Sequence, residues 1–272
     1  MIEEIRATRV NENELAIFWL WQNSFILKTN KGTLIAIDPY FSHSVNKYEN
    51  PDTNYVHPEI PMRPEETLVD YVFCTHDHLD HTDPDTLPII AKSSPKTKFL
   101  GTPESCNHFL KMGVPQDNVI RLDAKVTIEL ADFKVTPVYS IPESTIRLWG
   151  KTTGRTMTTH YGYIFDFDFV KLYNMGDSSP DVVKDPMKIL KDVIPFSPEI
   201  AILPIIGDIR DRKPEDAFAF AKIIRPKIVI PCHYGCFATR TIDPQIFAEL
   251  FRDEPEIKPI IIEPKGKYVY KA

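Results

Sequence analysis

The chain has 272 residues, of which 43% are hydrophobic, with 24 prolines against 10 glycines. That is ample apolar material for one large α/β domain, and it is not the composition of a disordered chain. Its 32 basic and 38 acidic residues leave a net charge of -6, with no long basic tract of the kind that non-specific nucleic-acid binding requires. The opening MIEEIRATRVNENELAIFWLW carries early acids and no unbroken apolar segment, so it does not have the form of a signal peptide. No stretch reaches the roughly 18 consecutive apolar residues of a membrane span. Cys74, Cys106, Cys232 and Cys236 are dispersed and match no disulfide framework, so the reducing cytoplasm is the expected compartment.

In chain order, Leu15–Trp21 and Phe25–Lys28 have strand character, Asn30-Lys31-Gly32 forms a hairpin turn, and Thr33–Ile37 is a further strand ending at Asp38-Pro39. Residues 40–64 are polar, proline-punctuated and aperiodic, a long loop beside the site or on the surface. Val69–Cys74 is a short apolar strand. A helix is expected over Asp83–Ala91, with Asp83 as its cap and Pro84 in its first turn. Lys98–Leu100 is a strand, and Pro103–Met112 is a helix closed by Gly113. Val119–Arg121, Val126–Leu130 and Lys134–Val138 follow as strands. In the second half, Tyr161–Phe169, Lys171–Asn174, Ile200–Ile205 and Lys227–Ile230 are strands. Pro214–Ile224 is an amphipathic helix with Ala217, Phe218, Ala221 and Ile224 on its apolar stripe. Ile246–Phe251 is helical, and two short β segments finish the chain. No close internal repeat is present, yet the order of elements suggests two β–α halves within a single domain spanning 1–272.

The most specific signal is Thr75-His76-Asp77-His78-Leu79-Asp80-His81, directly after an apolar strand. Two histidines one residue apart converge from a turn, and the following Asp-His pair reaches the same centre. Imidazole nitrogen and carboxylate oxygen suit Zn, Mn or Fe. A merely solvated polar turn is a poor account of three histidines in six residues. Asp177 and His233 each follow an apolar strand, at the strand ends where α/β folds gather functional groups. Taken alone, the first could be a helix cap and the second a structural histidine.

With these residues in place, the chain resembles the metallo-β-lactamase superfamily. His76, His78, Asp80 and His81 fill its His-x-His-x-Asp-His turn, Asp177 in MGDSS resembles its bridging aspartate, and His233 in IVIPCHYG its final histidine. Within the superfamily, FWLWQNSFILKT, AIDPYF and PIIGDIRDRKPEDAFAFAKIIRPKIVIPCHYGCF are similar to the L-ascorbate-6-phosphate lactonase family and related small cytoplasmic metal-dependent hydrolases. The resemblance covers roughly residues 15 to 240. It implies an αββα sandwich, two facing mixed β-sheets with outer helices. It also implies one or two divalent metal ions, Zn or Mn, bound by His76, His78, Asp80, His81, Asp177 and His233. Metal-bound hydroxide would be the nucleophile, oriented by Asp80 as catalytic residue, so Ser178 and Ser179 are not needed as nucleophiles.

There is one departure. Most members place a further histidine after a strand corresponding to Lys134–Val138, where this chain has Tyr139-Ser140. The lactonase family similarly lacks it. His160 is the replacement ligand to consider, and Tyr139 a group facing substrate or metal. Arg147, Lys151 and Arg155 form a set suited to an anionic substrate. Asp208, Arg210, Asp211, Arg212 and Lys213 line either the cleft or a solvated rim. His43 and His57 touch either substrate or solvent, His108 is structural or superficial, and Trp19 and Trp21 pack on one face of a strand. The substrate expected is a small anionic ester, with a sugar-phosphate lactone as the specific case. The alternatives are a phosphodiesterase or a non-catalytic metal-binding protein. Homo-oligomerisation is expected from the resemblance alone.

Overall fold

A computed structural model describes residues 1–147, 158–178, 180–206 and 213–272. The chain divides into two compact units. The first comprises Met1–Leu122, Gly235–Thr241 and Ile262–Ala272, and the second Asp123–Tyr234 and Ile242–Ile261.

The first unit is built on a seven-stranded mixed sheet. Its strands are β1 (Glu14–Trp19), β2 (Phe25–Lys28), β3 (Leu34–Ile37), β4 (Tyr71–Cys74), β5 (Lys98–Gly101), β6 (Val119–Arg121) and β14 (Lys267–Lys271), in the order β14-β1-β2-β3-β4-β5-β6. Pairing is antiparallel from β14 to β3 and parallel from β3 to β6. Every residue of β1 and β3 is buried, as in strands covered on both faces. One face carries Ala16, Phe18, Ile26, Ala36, Val72 and Phe99, which pack with Leu87, Ile90 and Phe109 of the helices Leu87–Ser93 and Pro103–Lys111. Phe99 and Phe109 meet with ring centroids 5.7 Å apart, and burying such a ring contributes about 1.5–3 kcal/mol. Thr102 caps the second helix by accepting from Ser105 N at 3.2 Å. Gly113 follows its end at φ +86°, the left-handed conformation that made it a stop signal.

The second unit repeats the plan without repeating the sequence. Its strands are β7 (Ile128–Glu129), β8 (Lys134–Tyr139), β9 (Tyr161–Asp166), β10 (Lys171–Asn174), β11 (Ile200–Pro204), β12 (Ile228–Cys232) and β13 (Lys258–Pro259), hydrogen-bonded in the order β13-β12-β11-β10-β9-β8-β7. Again four strands pair antiparallel, β7 to β10, and pairing is parallel from β10 to β13. Pro137 lies in β8 beyond the reach of the two-residue β7, so its missing N–H breaks no ladder. The helix Pro214–Ile224 lies along β11.

Several expectations shift. The helix expected from Asp83 begins one turn later, at Leu87. Asp83 instead accepts hydrogen bonds from Ser42 Oγ at 2.7 and 2.8 Å and from Asp85 N at 3.0 Å, fixing the turn ahead of the helix. On Pro214–Ile224 the buried aromatic is Phe220, while half-buried Phe218 turns edge-on to Phe251, centroids 4.9 Å apart. Part of the 40–64 loop is helical, over Ser44–Tyr48. A short N-terminal helix, Ile2–Ala7, has no counterpart in the sequence reading. β1 stops at Trp19, so Trp21 is not a strand residue; its φ is +66°. No described helix is long and apolar enough to cross a membrane.

Candidate metal centre

In the first unit the pairing pattern brings several chain turns to one sheet edge. β3 and β4 run parallel, so Asp38 and Thr75 leave the sheet side by side. β2 runs against β3 with Phe25 opposite Ile37, which places the β1–β2 turn at the same edge. Asp38 takes up φ +42°, an unfavourable conformation held by its own bonds. Its N–H donates to Phe73 O at 2.8 Å. Its fully buried carboxylate accepts from Thr75 N at 2.7 Å, Thr75 Oγ1 at 2.6 Å, Asn23 Nδ2 at 2.7 Å and His81 Nδ1 at 2.6 Å. The contact with a carboxylate makes His81 Nδ1 the protonated nitrogen and assigns the ring's lone pair to Nε2. That Nε2 lies 3.6 Å from Asp80 Oδ2, and the same Asp80 oxygen accepts from Gln22 Nε2 at 2.9 Å.

The motif turn closes on itself. His81 N and Thr82 N donate to His78 O at 3.0 and 2.7 Å, and Thr82 Oγ1 donates to His76 O at 2.7 Å. His76 Nε2 and His78 Nδ1 come within 2.9 Å. Two imidazole nitrogens so close must share a proton or a cation. His108, expected to be structural or superficial, reaches back from its helix to Asp77, Nδ1 to Oδ1 at 2.7 Å, in the middle of this turn. Burial raises the Asp77 carboxyl above its ordinary value, and His108 opposes the rise.

The second unit gathers its groups by the same logic. β10 and β12 flank β11 in parallel, so Asp177 and His233 emerge from one edge. β9 runs against β10, which brings the residue preceding β9, His160, to that edge as well. Gly176 turns at φ +61° with its N–H on Asn174 Oδ1 at 2.9 Å, setting up Asp177. His233, at φ +63°, donates from Nδ1 to Ile206 O at 3.0 Å, and its Nε2 lies 3.3 Å from Asp177 Oδ1. His160 is likewise buried and likewise donates from Nδ1, to Thr158 O at 2.8 Å. All three rings, His81, His233 and His160, are held by Nδ1 and carry their lone pair on Nε2.

These donors fit a divalent cation. They are imidazole nitrogens and carboxylate oxygens, buried except at His78, and His81, His160, His233 and Asp80 are oriented by hydrogen-bond partners. The first unit therefore brings together His76, His78, Asp80 and His81, and the second Asp177, His233 and His160 at one edge. Tyr139 ends β8 half-buried, edge-on to Tyr161 at 5.6 Å, and its phenol is raised by burial. Next to it, Ser140 N donates to His160 O at 3.1 Å. Arg147 is exposed and paired with Glu143. Lys151, Arg155, Asp208, Arg210, Asp211 and Arg212 lie outside the described residues, while exposed Lys213 precedes the helix Pro214–Ile224.

The sequence reading missed Asp38, Asn23 and Gln22. Asp38 carried the same signal as Asp177, a carboxylate just past an apolar strand. Asn23 and Gln22 carried none, since a two-stranded turn shows only in three dimensions what it hangs over.

The family described as a beta-lactamase superfamily domain matches residues 16–233. The chain is 32% identical over 252 residues to a UPF0173 metal-dependent hydrolase of Koribacter versatilis, covering 90% of this chain and 96% of that protein. It is 27% identical over 251 residues to a UPF0173 metal-dependent hydrolase of Methanosarcina mazei, covering 92% and 96%. Among solved structures it is similar to Igni18, a metallo hydrolase of Ignicoccus hospitalis, with a TM-score of 0.70 at 21% identity, covering 95% of this chain and 99% of that one.

Proposed function

We propose metal-assisted ester hydrolysis for this chain, which belongs to the metallo-β-lactamase superfamily. Two mixed sheets with accompanying helices are the fold of that superfamily, and the protein is a metal-dependent hydrolase. The finer reading is that the two half-sites serve one centre. In this proposal, which rests on the motif resemblance, His76, His78, Asp80, His81, Asp177 and His233 are the ligands and His160 replaces the missing histidine. Zn or Mn suits this mixture of imidazole and carboxylate. The observation that carries the reading is His81, clamped by Asp38 at 2.6 Å with its other nitrogen turned to Asp80. A histidine needed only for packing requires no buried carboxylate behind it.

When bound, such ions supply Lewis-acid polarisation of the scissile oxygen and lower the pKa of a water. The chain's own residues do the rest. Asp80, steadied by the Gln22 amide, accepts the proton leaving the attacking water. His76, His78, His81, His160 and His233 orient through their lone pairs, and Asp177 balances charge. The substrate proposed is a small ester-like molecule, a sugar-phosphate lactone being the specific candidate. Arg147, Lys151 and Arg155 are the proposed partners of its anion.

The test is a turnover screen of the metal-reconstituted protein on sugar-phosphate lactones, neutral lactones, phosphodiesters and β-lactams. Asp80→Asn and His81→Ala serve as controls, and loss of the proton acceptor should lower kcat by about 10²–10⁴-fold. Phosphodiester turnover with none of any lactone would sink the lactone chemistry. Equal rates on lactones with and without phosphate would remove the anion partners. Unchanged activity in both variants would reject the site.

A further inference from the structure

Within the first unit a cavity opens beside the motif turn. Trp21, Tyr40, His43, Tyr55, His57 and Cys236 are among its lining residues. Its walls are largely rings. His57 stacks on Trp21 with centroids 4.9 Å apart and an interplanar angle of 13°. His43 lies 4.3 Å from Tyr55 by the same measure, and Phe237 backs Tyr55 at 5.5 Å. The hydroxyls of Tyr40 and Tyr55 are bonded to one another at 2.7 Å.

The phenols and the thiol here are neutral, and the Glu59 carboxylate also lines the cavity. Burial raises both phenols and the Cys236 thiol, and the Asp80 carboxylate adds to the rise at all three. No lysine or arginine is among the lining residues. An anion would therefore lose its water beside a carboxylate with no cation in the lining to replace it, Lys265 Nζ lying outside the lining, 5.6 Å from the Trp21 ring centroid. Trp21 is 6% exposed, and its Nε1–H is buried with no hydrogen-bond partner among the described residues. A buried N–H left in this state favours any acceptor that can reach it.

The cavity is tied to the reacting centre through the chain. Trp21 and Gln22 adopt φ +66° and +46°, unfavourable for residues with side chains. That turn takes Trp21 out of β1 and sends the Gln22 amide to Asp80 at 2.9 Å. Tyr40 stands two residues beyond Asp38, which clamps His81. Resting on the hydrolase reading above, we propose that this cavity is the recognition pocket for the substrate. It takes an uncharged planar group, aromatic or conjugated, bearing an acceptor for the Trp21 N–H. Flat π systems match ring walls better than puckered saturated ones, and a phosphate belongs elsewhere.

The experiment uses metal-loaded protein labelled with ¹⁵N at the tryptophan indoles, with Trp21→Phe assigning the resonance. Three probes are titrated: acetanilide, N-cyclohexylacetamide and inorganic phosphate. Acetanilide should move the Trp21 indole signal and bind about 2- to 10-fold more tightly than the cyclohexyl amide. Phosphate should leave the signal in place. His43→Ala should weaken acetanilide, and Tyr55→Phe, which keeps the ring, should retain most of its binding. Equal affinity for the two amides, an unmoved indole, or a shift with phosphate would overturn the proposal. Turnover of a neutral lactone is measured on the same samples. Turnover without acetanilide binding removes the pocket and leaves the hydrolase reading standing. Binding without turnover of any substrate class keeps the ligand class and removes both the hydrolase reading and the pocket's role in it.

Discussion

Asp38 makes no appearance among the expected ligands, yet it organises more of the first unit's edge than any of them. One carboxylate receives Thr75, Asn23 and His81, and its backbone is held in the left-handed region to do so. Asp38→Asn tests this directly. The amide keeps the volume and replaces one acceptor oxygen by a donor, so it cannot hold both Thr75 and His81 in their present roles. Metal affinity, measured by competition with a chromophoric chelator, should fall about 10- to 100-fold; an unchanged affinity would mean that His81 is oriented by something else. At this scale the sequence was legible where chemistry was concentrated in one turn, as in His76 to His81. It was not legible where a group acts through another. Asp38 shows its role through neighbours 15, 37 and 43 positions away.

Strands were easier to place than helices. Phe25–Lys28, Val119–Arg121 and Lys171–Asn174 have the expected bounds, because short apolar runs between turn residues have few other uses. The helix Ile2–Ala7 was invisible because its six residues make too weak a periodic signal. It depends on buried Ile2 and Ile5 and on Lys28, whose ammonium donates to Ile5 O, Arg6 O and Thr8 O. Those carbonyls gather where the helix ends, a place suited to a cation. β9 is closely packed at Gly162. A Cβ on Gly162 would stand 2.8 Å from Tyr173 Cε2, 2.9 Å from Asn174 O and 3.1 Å from Met175 O. Two of those are backbone atoms, one at the end of β10 and one just past it on the way to Asp177, and backbone cannot swing aside. Gly162→Ala should therefore cost about 1–3 kcal/mol in chemical denaturation. An unaltered midpoint and slope would show that β9 and β10 separate more easily than their packing implies.

For the whole molecule, metal and stability should be linked. A ligand that binds only the folded chain stabilises it by about 2.7 kcal/mol at a hundred times its dissociation constant. For a chain of this size that corresponds to about 5–10 °C in Tm. Removing metal with a chelator should lower the thermal midpoint by that much, and readdition should restore it; a midpoint indifferent to chelation would argue against tightly held ions. The sequence made the two-halved plan legible through the order of its strands and helices, but not the mirrored strand orders, which depend on pairings between distant segments. One of those pairings sets a schedule for biosynthesis. β1 is completed early in translation, yet one of its two partners is β14, with Leu15 opposite Tyr270 and Phe18 opposite Lys267. Until the ribosome has released that stretch, the nascent first unit carries an apolar strand with a bare row of amide and carbonyl groups. Such an edge recruits other strands. The hazard is greatest in a crowded polysome, where neighbouring copies expose the same edge, and the newborn chain has reason to meet a chaperone before it meets itself.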